Sequence, residues 1–140
     1  MRLASLSLAF LITLATAGTG FAERFSVYDC SFKVSAGAFL GEKLTLFVSE
    51  ESDKSFAIDG VIHYTYGEPI PVQSSITDAK IVSRWRLDTH DSNGESISLN
   101  YRLAYITKSG RANITATAVR FANKDTAHGS CERSVQNFTG

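Results

Sequence analysis

Ile97–Tyr105 reads ISLNYRLAY, and the period of this stretch decides the fold. Ile97, Leu99, Tyr101, Leu103 and Tyr105 are large and apolar, while Ser98, Asn100, Arg102 and Ala104 between them are polar or small. Strict alternation puts one set on a buried face and the other in water, which is the pattern of a β-strand in a one-sided sheet. The stretch just upstream repeats it. Ile81, Trp85 and Leu87 share one face, and Arg84, Arg86, Asp88 and His90 share the other. Between the two lies a turn containing Ser92-Asn93-Gly94, which ends in the residue that best tolerates a left-handed backbone.

Face matching selects the register of this hairpin. A two-residue loop would set Leu87 against Asn100 and Trp85 against Arg102, mixing apolar and polar groups on one face. A three-residue loop pairs Asp91 with Glu95, Leu87 with Leu99, Trp85 with Tyr101 and Ile81 with Tyr105. A slip of one residue turns every side chain over, so burial favours the second register, with Gly94 left-handed. Asp91 at the turn is expected to bond its own backbone.

Elsewhere the chain also reads as strands. Phe25 to Val34, Leu44 to Ser49, one or two strands in Ser55–Gly67 around Asp59-Gly60, Asn113 to Phe121, and Ala127 to Val135 all carry β-type residues. For the second hairpin, around Lys108-Ser109-Gly110, a three-residue loop is expected, with Leu99 opposite Val119 and Arg120 beside Ser98. Pro69 and Pro71, the only two prolines, fit an edge or a loop. Helical signals are nearly absent past the N-terminus. The expected fold is all-β: a small antiparallel meander closing into a seven- or eight-stranded barrel or sandwich.

The N-terminus reads MRLASLSLAFLITLATAGTGFA: one Arg, a short apolar run, then small residues before Glu23-Arg24. That is the layout of a cleaved secretory signal peptide over residues 1–22, with a cut after Ala17 as the alternative. It leaves residues 23–140 as a single β domain, exported, with the bacterial periplasm favoured over the extracellular space and no membrane insertion after cleavage. The whole chain has 14 basic and 14 acidic residues, and the leader removes one Arg and no acid. A mature chain one charge short of neutral argues against a nucleic-acid partner. Two cysteines, Cys30 and Cys131, stand near opposite ends of the mature chain and in an exported protein read as one disulfide.

The stretch WRLDTHD, Trp85–Asp91, raises a metal or acid–base reading, because Asp88 and His90 share a strand face. It lacks further ligands at any recognisable spacing, and the other two histidines, His63 and His128, lie in other segments. No nucleophile motif is present, so neither an enzyme, a metal nor a cofactor is expected. The arginines are the better site. In the chosen register Arg84 faces Arg102 and Arg86 faces Asn100, a grouping suited to a phosphate, a carboxylate or an acidic protein surface. Arg84, Arg86 and Arg102 are therefore the expected anchors of a binding domain for a protein or an anionic small molecule. The aromatic residues Phe25, Phe32, Phe47, Phe56, Tyr64, Tyr66, Trp85, Tyr101 and Tyr105 are expected to fill the interior; lining a ligand cavity is the alternative.

In architecture alone, a small exported β-barrel with cysteines near both ends is similar to periplasmic inhibitors of lysozyme and to miniature lipocalin-like carriers. The alternatives to a surface binder follow from that: a carrier of a small apolar ligand, or an enzyme inhibitor. No residue role is carried over from either group.

Overall fold

A computed structural model describes residues 22–121 and 123–139. The expected leader, apart from Ala22, lies outside the described residues, as does the alternative cut after Ala17; Ala22 and Glu23, which flank the other cut, are the first two residues of β1 described below.

In chain order the elements are β1 (Ala22–Lys33), β2 (Lys43–Ser49), β3 (Ser55–Asp59), α1 (Gly60–Tyr66), β4 (Ile70–Pro71), β5 (Gln73–Ile76), β6 (Lys80–His90), β7 (Ser96–Ile106), β8 (Arg111–Ala118) and β9 (Lys124–Thr139). They form one antiparallel sheet in the order β4-β3-β2-β1-β9-β8-β7-β6-β5. Because β4 and β5 follow each other through Val72, the two outer members of that order are joined in sequence, and the sheet curls into a nearly closed barrel. Counted as one bent strand, they bring the number to eight.

The first hairpin has the expected register. Leu87 faces Leu99, Trp85 faces Tyr101, Ile81 faces Tyr105, and Arg84 faces Arg102. The Asp91 N–H donates to Glu95 O at 2.9 Å, and Gly94 has φ 79°. The Asp91 carboxylate accepts from the N–H groups of Asn93 and Glu95, both at 2.9 Å, so the turn is held by its own side chain.

The second hairpin differs from expectation. Ile106 and Arg111 flank a four-residue loop in which left-handed Gly110 donates its N–H to Ile106 O, and Leu99 faces Ala118 rather than Val119. The inward face of β8 is therefore Ala112, Ile114, Ala116 and Ala118, all buried, while Val119 and Phe121 lie beyond the strand and are exposed. Bulk explains the choice. Ala112 sits opposite Tyr105 and Ala116 opposite Tyr101, so small side chains leave room for the rings.

Ser55–Gly67 is not strand throughout. After Asp59 the chain turns into α1, a correction to the all-strand reading. The Asp59 Oδ1 accepts the Ile62 N–H at 2.8 Å, Gly67 closes the helix with φ 74°, and Ile62 is fully buried in the barrel mouth.

Cys30 and Cys131 are disulfide-bonded as expected, and they sit directly opposite each other on neighbouring strands. The Cys131 N–H is taken by Gly110 O on the far side, so toward β1 this is a non-hydrogen-bonded pair, the closer of the two pairing types. Their Cα atoms are 4.0 Å apart. Two residues further, β1 and β9 come so close that a Cβ on Gly129 would lie 1.8 Å from Ser31 O.

The core joins Tyr28, Cys30 and Phe32 of β1 with Leu44, Leu46, Leu87, Leu99, Leu103 and Ile114, among others. Side chains fill the barrel axis. Tyr28 packs on Tyr105 with ring centroids 4.9 Å apart, and Trp85 stacks on Tyr101 at 5.3 Å with planes 3° apart.

Two predictions follow from these contacts. Gly129→Ala forces β1 and β9 apart and should cost at least about 3 kcal/mol in a urea melt. Gly60→Ala, where a Cβ meets nothing within 4 Å, should be neutral or gain about 0.5 kcal/mol. Asp59 provides a third. Burial raises its pKa, partly offset by the N–H groups of Ile62 and Val61. A carboxyl with a raised folded pKa is favourable while protonated and becomes a cost as pH rises through that value. Asp59→Asn keeps a capping oxygen without the charge. It should melt above the wild type at neutral pH and lose that lead as pH falls through the Asp59 transition; a lead that is constant with pH would contradict this.

Candidate functional site

β6 and β7 carry the arginine face. Period two in both strands turns Trp85, Leu87, Leu99 and Tyr101 inward, and this turns Arg84, Arg86, Asn100 and Arg102 outward. All three expected anchors are exposed on one face, with Arg84 directly across from Arg102. Their environments differ. Arg86 bonds Asp88 at 3.3 Å, while Arg84 and Arg102 have no carboxylate within ion-pair distance among the described residues. The Asp88 carboxyl is held below its usual range, first by the Ser98 hydroxyl and then by Arg86. Two like charges directly opposite across a strand pair are destabilising.

Arg120 reaches the same face by a different route from the one expected. It follows β8 rather than lying in it, and Val119 donates its N–H to Ser98 O at 3.0 Å. Arg86, Ser98, Val119, Arg120 and Phe121 line a depression of about 210 Å³.

Beside the arginines the barrel wall is incomplete. β5 pairs with β6 only as far as Gln73 and Arg84, and β4 pairs with β3 at Ile70 and Pro71. Past Val72 the closing strand therefore passes from one edge to the other and leaves a cleft of about 560 Å³. Pro71, Val72 and Gln73 form one side and Arg84, Trp85 and Arg86 the other, with Asn100 and Tyr101 behind. Trp85 is 7% exposed, and its Nε1 is a buried donor without an acceptor among the described residues. Tyr101, by contrast, donates its hydroxyl to Phe39 O at 2.7 Å. Burial raises the Tyr101 pKa well above the usual range, and the Asp59 and Asp125 carboxylates raise it further.

The closure below the cleft is held by hydroxyls. Ser55 Oγ and Ser74 Oγ are 2.7 Å apart, Ser74 Oγ and Ser83 Oγ 2.7 Å, and Ser55 also donates to Val72 O at 2.9 Å. This chain of hydrogen bonds ties β3, β5 and β6 together.

The histidines are not gathered. His63 is on α1, His90 at the end of β6 and His128 on β9, where it bonds Asn113. Among the described residues no group of three His, Cys, Asp or Glu is placed to hold a metal.

The aromatic expectation needs correction. Phe32, Trp85, Tyr101 and Tyr105 are inside, but Tyr64 and Tyr66 on α1 are 83% and 47% exposed. Phe25, Phe47 and Phe56 face outward from β1, β2 and β3. Phe138, which the sequence reading passed over, joins them, with ring centroids 5.6 Å from Phe25 and 5.7 Å from Phe47. Together with Pro69 they line an outer apolar depression of about 350 Å³. The available signal was Phe25 and Val27, which stand on the same face of β1 as the polar Asp29 and Ser31 and are nonetheless buried.

No protein-family model, no curated protein and no solved structure matches this chain.

The Arg84–Arg102 pairing leads to a stability prediction. Replacing Arg102 by Thr removes the repulsion and places a β-branched residue beside Thr115. The variant should be more stable than the wild type by about 0.2–1 kcal/mol at low salt, with the gain shrinking as salt screens the pair. A loss of stability at low salt would show that the two guanidinium groups do not repel.

Proposed function

We propose that this domain is an exported, non-enzymatic binding module that engages an anionic partner through the Arg84–Arg86–Arg102 face. One observation carries the reading: two arginines are set directly opposite each other on an exposed sheet, without a carboxylate in ion-pair distance of either among the described residues. An arrangement that costs stability in the free domain becomes favourable when an acidic group sits between the guanidinium planes. Export is supported by the character of the N-terminal sequence and by the disulfide. The periplasm is the favoured compartment on the same grounds. The non-enzymatic reading rests on the separation of the three histidines onto three elements.

Carriage of an apolar ligand along the barrel axis is the weaker reading, because Tyr28, Leu46, Leu103, Tyr105 and Ile114 pack there. Inhibition of an enzyme is one form the anionic-partner reading can take.

Calorimetry with a polyglutamate probe tests it. Binding should weaken steeply as salt rises, and Arg84→Ala/Arg86→Ala/Arg102→Ala should lower affinity at least about tenfold. The triple variant should keep its disulfide and its β-type circular dichroism. Undiminished affinity in a folded triple variant would overturn the reading.

A further inference from the structure

The cleft next to the arginines is bounded by an open strand edge. Hydrogen-bond parity along β6 follows from its register. The bonded Asp91–Glu95 pair sends the main-chain groups of the odd residues Leu87 and Trp85 toward β7. The even residues send theirs the other way. Val82 and Arg84 meet β5 there, but pairing ends at Arg84. The N–H and C=O groups of Arg86 and Asp88 therefore face a side where no described strand or turn meets them. Across the cleft the parity is complementary. Val72 donates its N–H to Ser55 O, so the backbone of Pro71 faces away from β3 and into the cleft, where proline has no N–H to offer.

We infer that this cleft is a strand-addition site, taking an extended segment of a partner protein in which acidic and apolar residues alternate. The inference rests on the arginine reading and names its partner class. Main-chain bonds to Arg86 and Asp88 would continue the sheet where β5 leaves it. Alternation then divides the guest's side chains. Those turned outward come beside Arg84 and Arg86, which calls for carboxylates; those turned inward come over Trp85, Tyr101 and Val72, which calls for apolar groups. Asp88 is hydrogen-bonded to Ser98 on β7 and to Arg86, which leaves Arg84 as the cation at this edge without a carboxylate in ion-pair distance among the described residues. Trp85 itself lines the same cleft, so the apolar side chains of the guest come beside its ring. A guest with two free edges suits a cleft that Pro71 and Val72 flank. A second barrel, whose own β6 edge is recessed in the same way, does not.

The test uses a blocked peptide alternating Glu and Val, a Lys/Val counterpart, and the Glu/Val peptide N-methylated at alternate residues. Trp85 is the single tryptophan of the chain, so its emission reports on the cleft directly. Amide hydrogen exchange reads the edge. In the free protein the Arg86 and Asp88 amides should exchange much faster than those of Trp85 and Leu87. The Glu/Val peptide should shift the emission and slow exchange at Arg86 and Asp88. N-methylation on the bonding edge should weaken binding about tenfold with the protein untouched, and the Lys/Val peptide should not bind. Glu/Val binding that depends on Arg84, Arg86 and Arg102 but leaves both amides unprotected would overturn the strand-addition inference and leave the arginine reading in place. Protection of both amides that survives the triple arginine variant would support the edge and overturn the arginine reading instead. Equal binding of the Lys/Val peptide, or protection arising only through dimerisation as protein concentration rises, would overturn the inference.

Discussion

The first strand and the last approach so closely that no side chain fits between them at position 129. β1 and β9 pair over twelve positions, from Ala22–Thr139 to Lys33–His128, and this contact joins the two halves of the meander. Glycine at 129 is what permits it, since any side chain there would enter the Ser31 peptide. Two residues away the disulfide crosses the same seam and encloses 101 residues of sequence separation. In the chain-entropy model, closing a loop of this size stabilises the fold by about 4–5 kcal/mol. Backbone pairing, glycine and disulfide thus act at one place. Without them β1 and β9 would be edge strands and the tyrosine and leucine interior would open to water.

Opposite this strong seam the barrel has a weak one. There the closing strand is only Ile70–Ile76, split at Val72, and it pairs with β3 over two residues and β6 over four. Besides these short ladders, three serine hydroxyls and the Val72 N–H to Ser55 O bond hold it. Neutral hydrogen bonds of this kind contribute about 1 kcal/mol each, so local opening should cost least here. The cleft, the unpaired edge of β6 and the arginines all lie on this side. Prolines are tolerated here for the same reason: Pro71 lacks a donor where there is no acceptor to meet.

Bulk contrast decided what could be read from the sequence. Residues 81–105 alternate between large apolar and polar side chains, so one register of the first hairpin buries the apolar set and its neighbour does not. Strand direction, loop length and the Arg84–Arg102 pairing all followed from that. The second hairpin has no such contrast. Between Ala112 and Ala118 the choice lies between alanine and threonine, and only the space left by Tyr101 and Tyr105 settles it. The helix escaped because it is seven residues long and buries only Ile62, while its Ile, Tyr and Thr content favours strands. Its one local signal was Asp59-Gly60, around which one or two strands were expected although the aspartate is a cap. The outer phenylalanines escaped for a third reason: aromatic residues in strands are assigned inward by default, and only the packing of four strands shows a second apolar face.

Within β6 three requirements share one stretch of chain. Its inward side chains complete the core through the Trp85–Tyr101 stack and Leu87. Its outward side chains carry the arginines. Its main chain is bonded to β7 at the odd residues and to β5 at the even residues as far as Arg84, beyond which Arg86 and Asp88 meet no described strand. The requirements are separable because a strand sends successive side chains to opposite faces and successive main-chain groups to opposite edges. Substituting Arg84 or Arg86 therefore leaves the stack and the β7 ladder intact, whereas substituting Trp85 alters the core and the cleft floor together. A partner that reads this strand meets charge, apolar surface and free amides within three consecutive residues, a combination that neither a small anion nor a greasy ligand alone would engage in full.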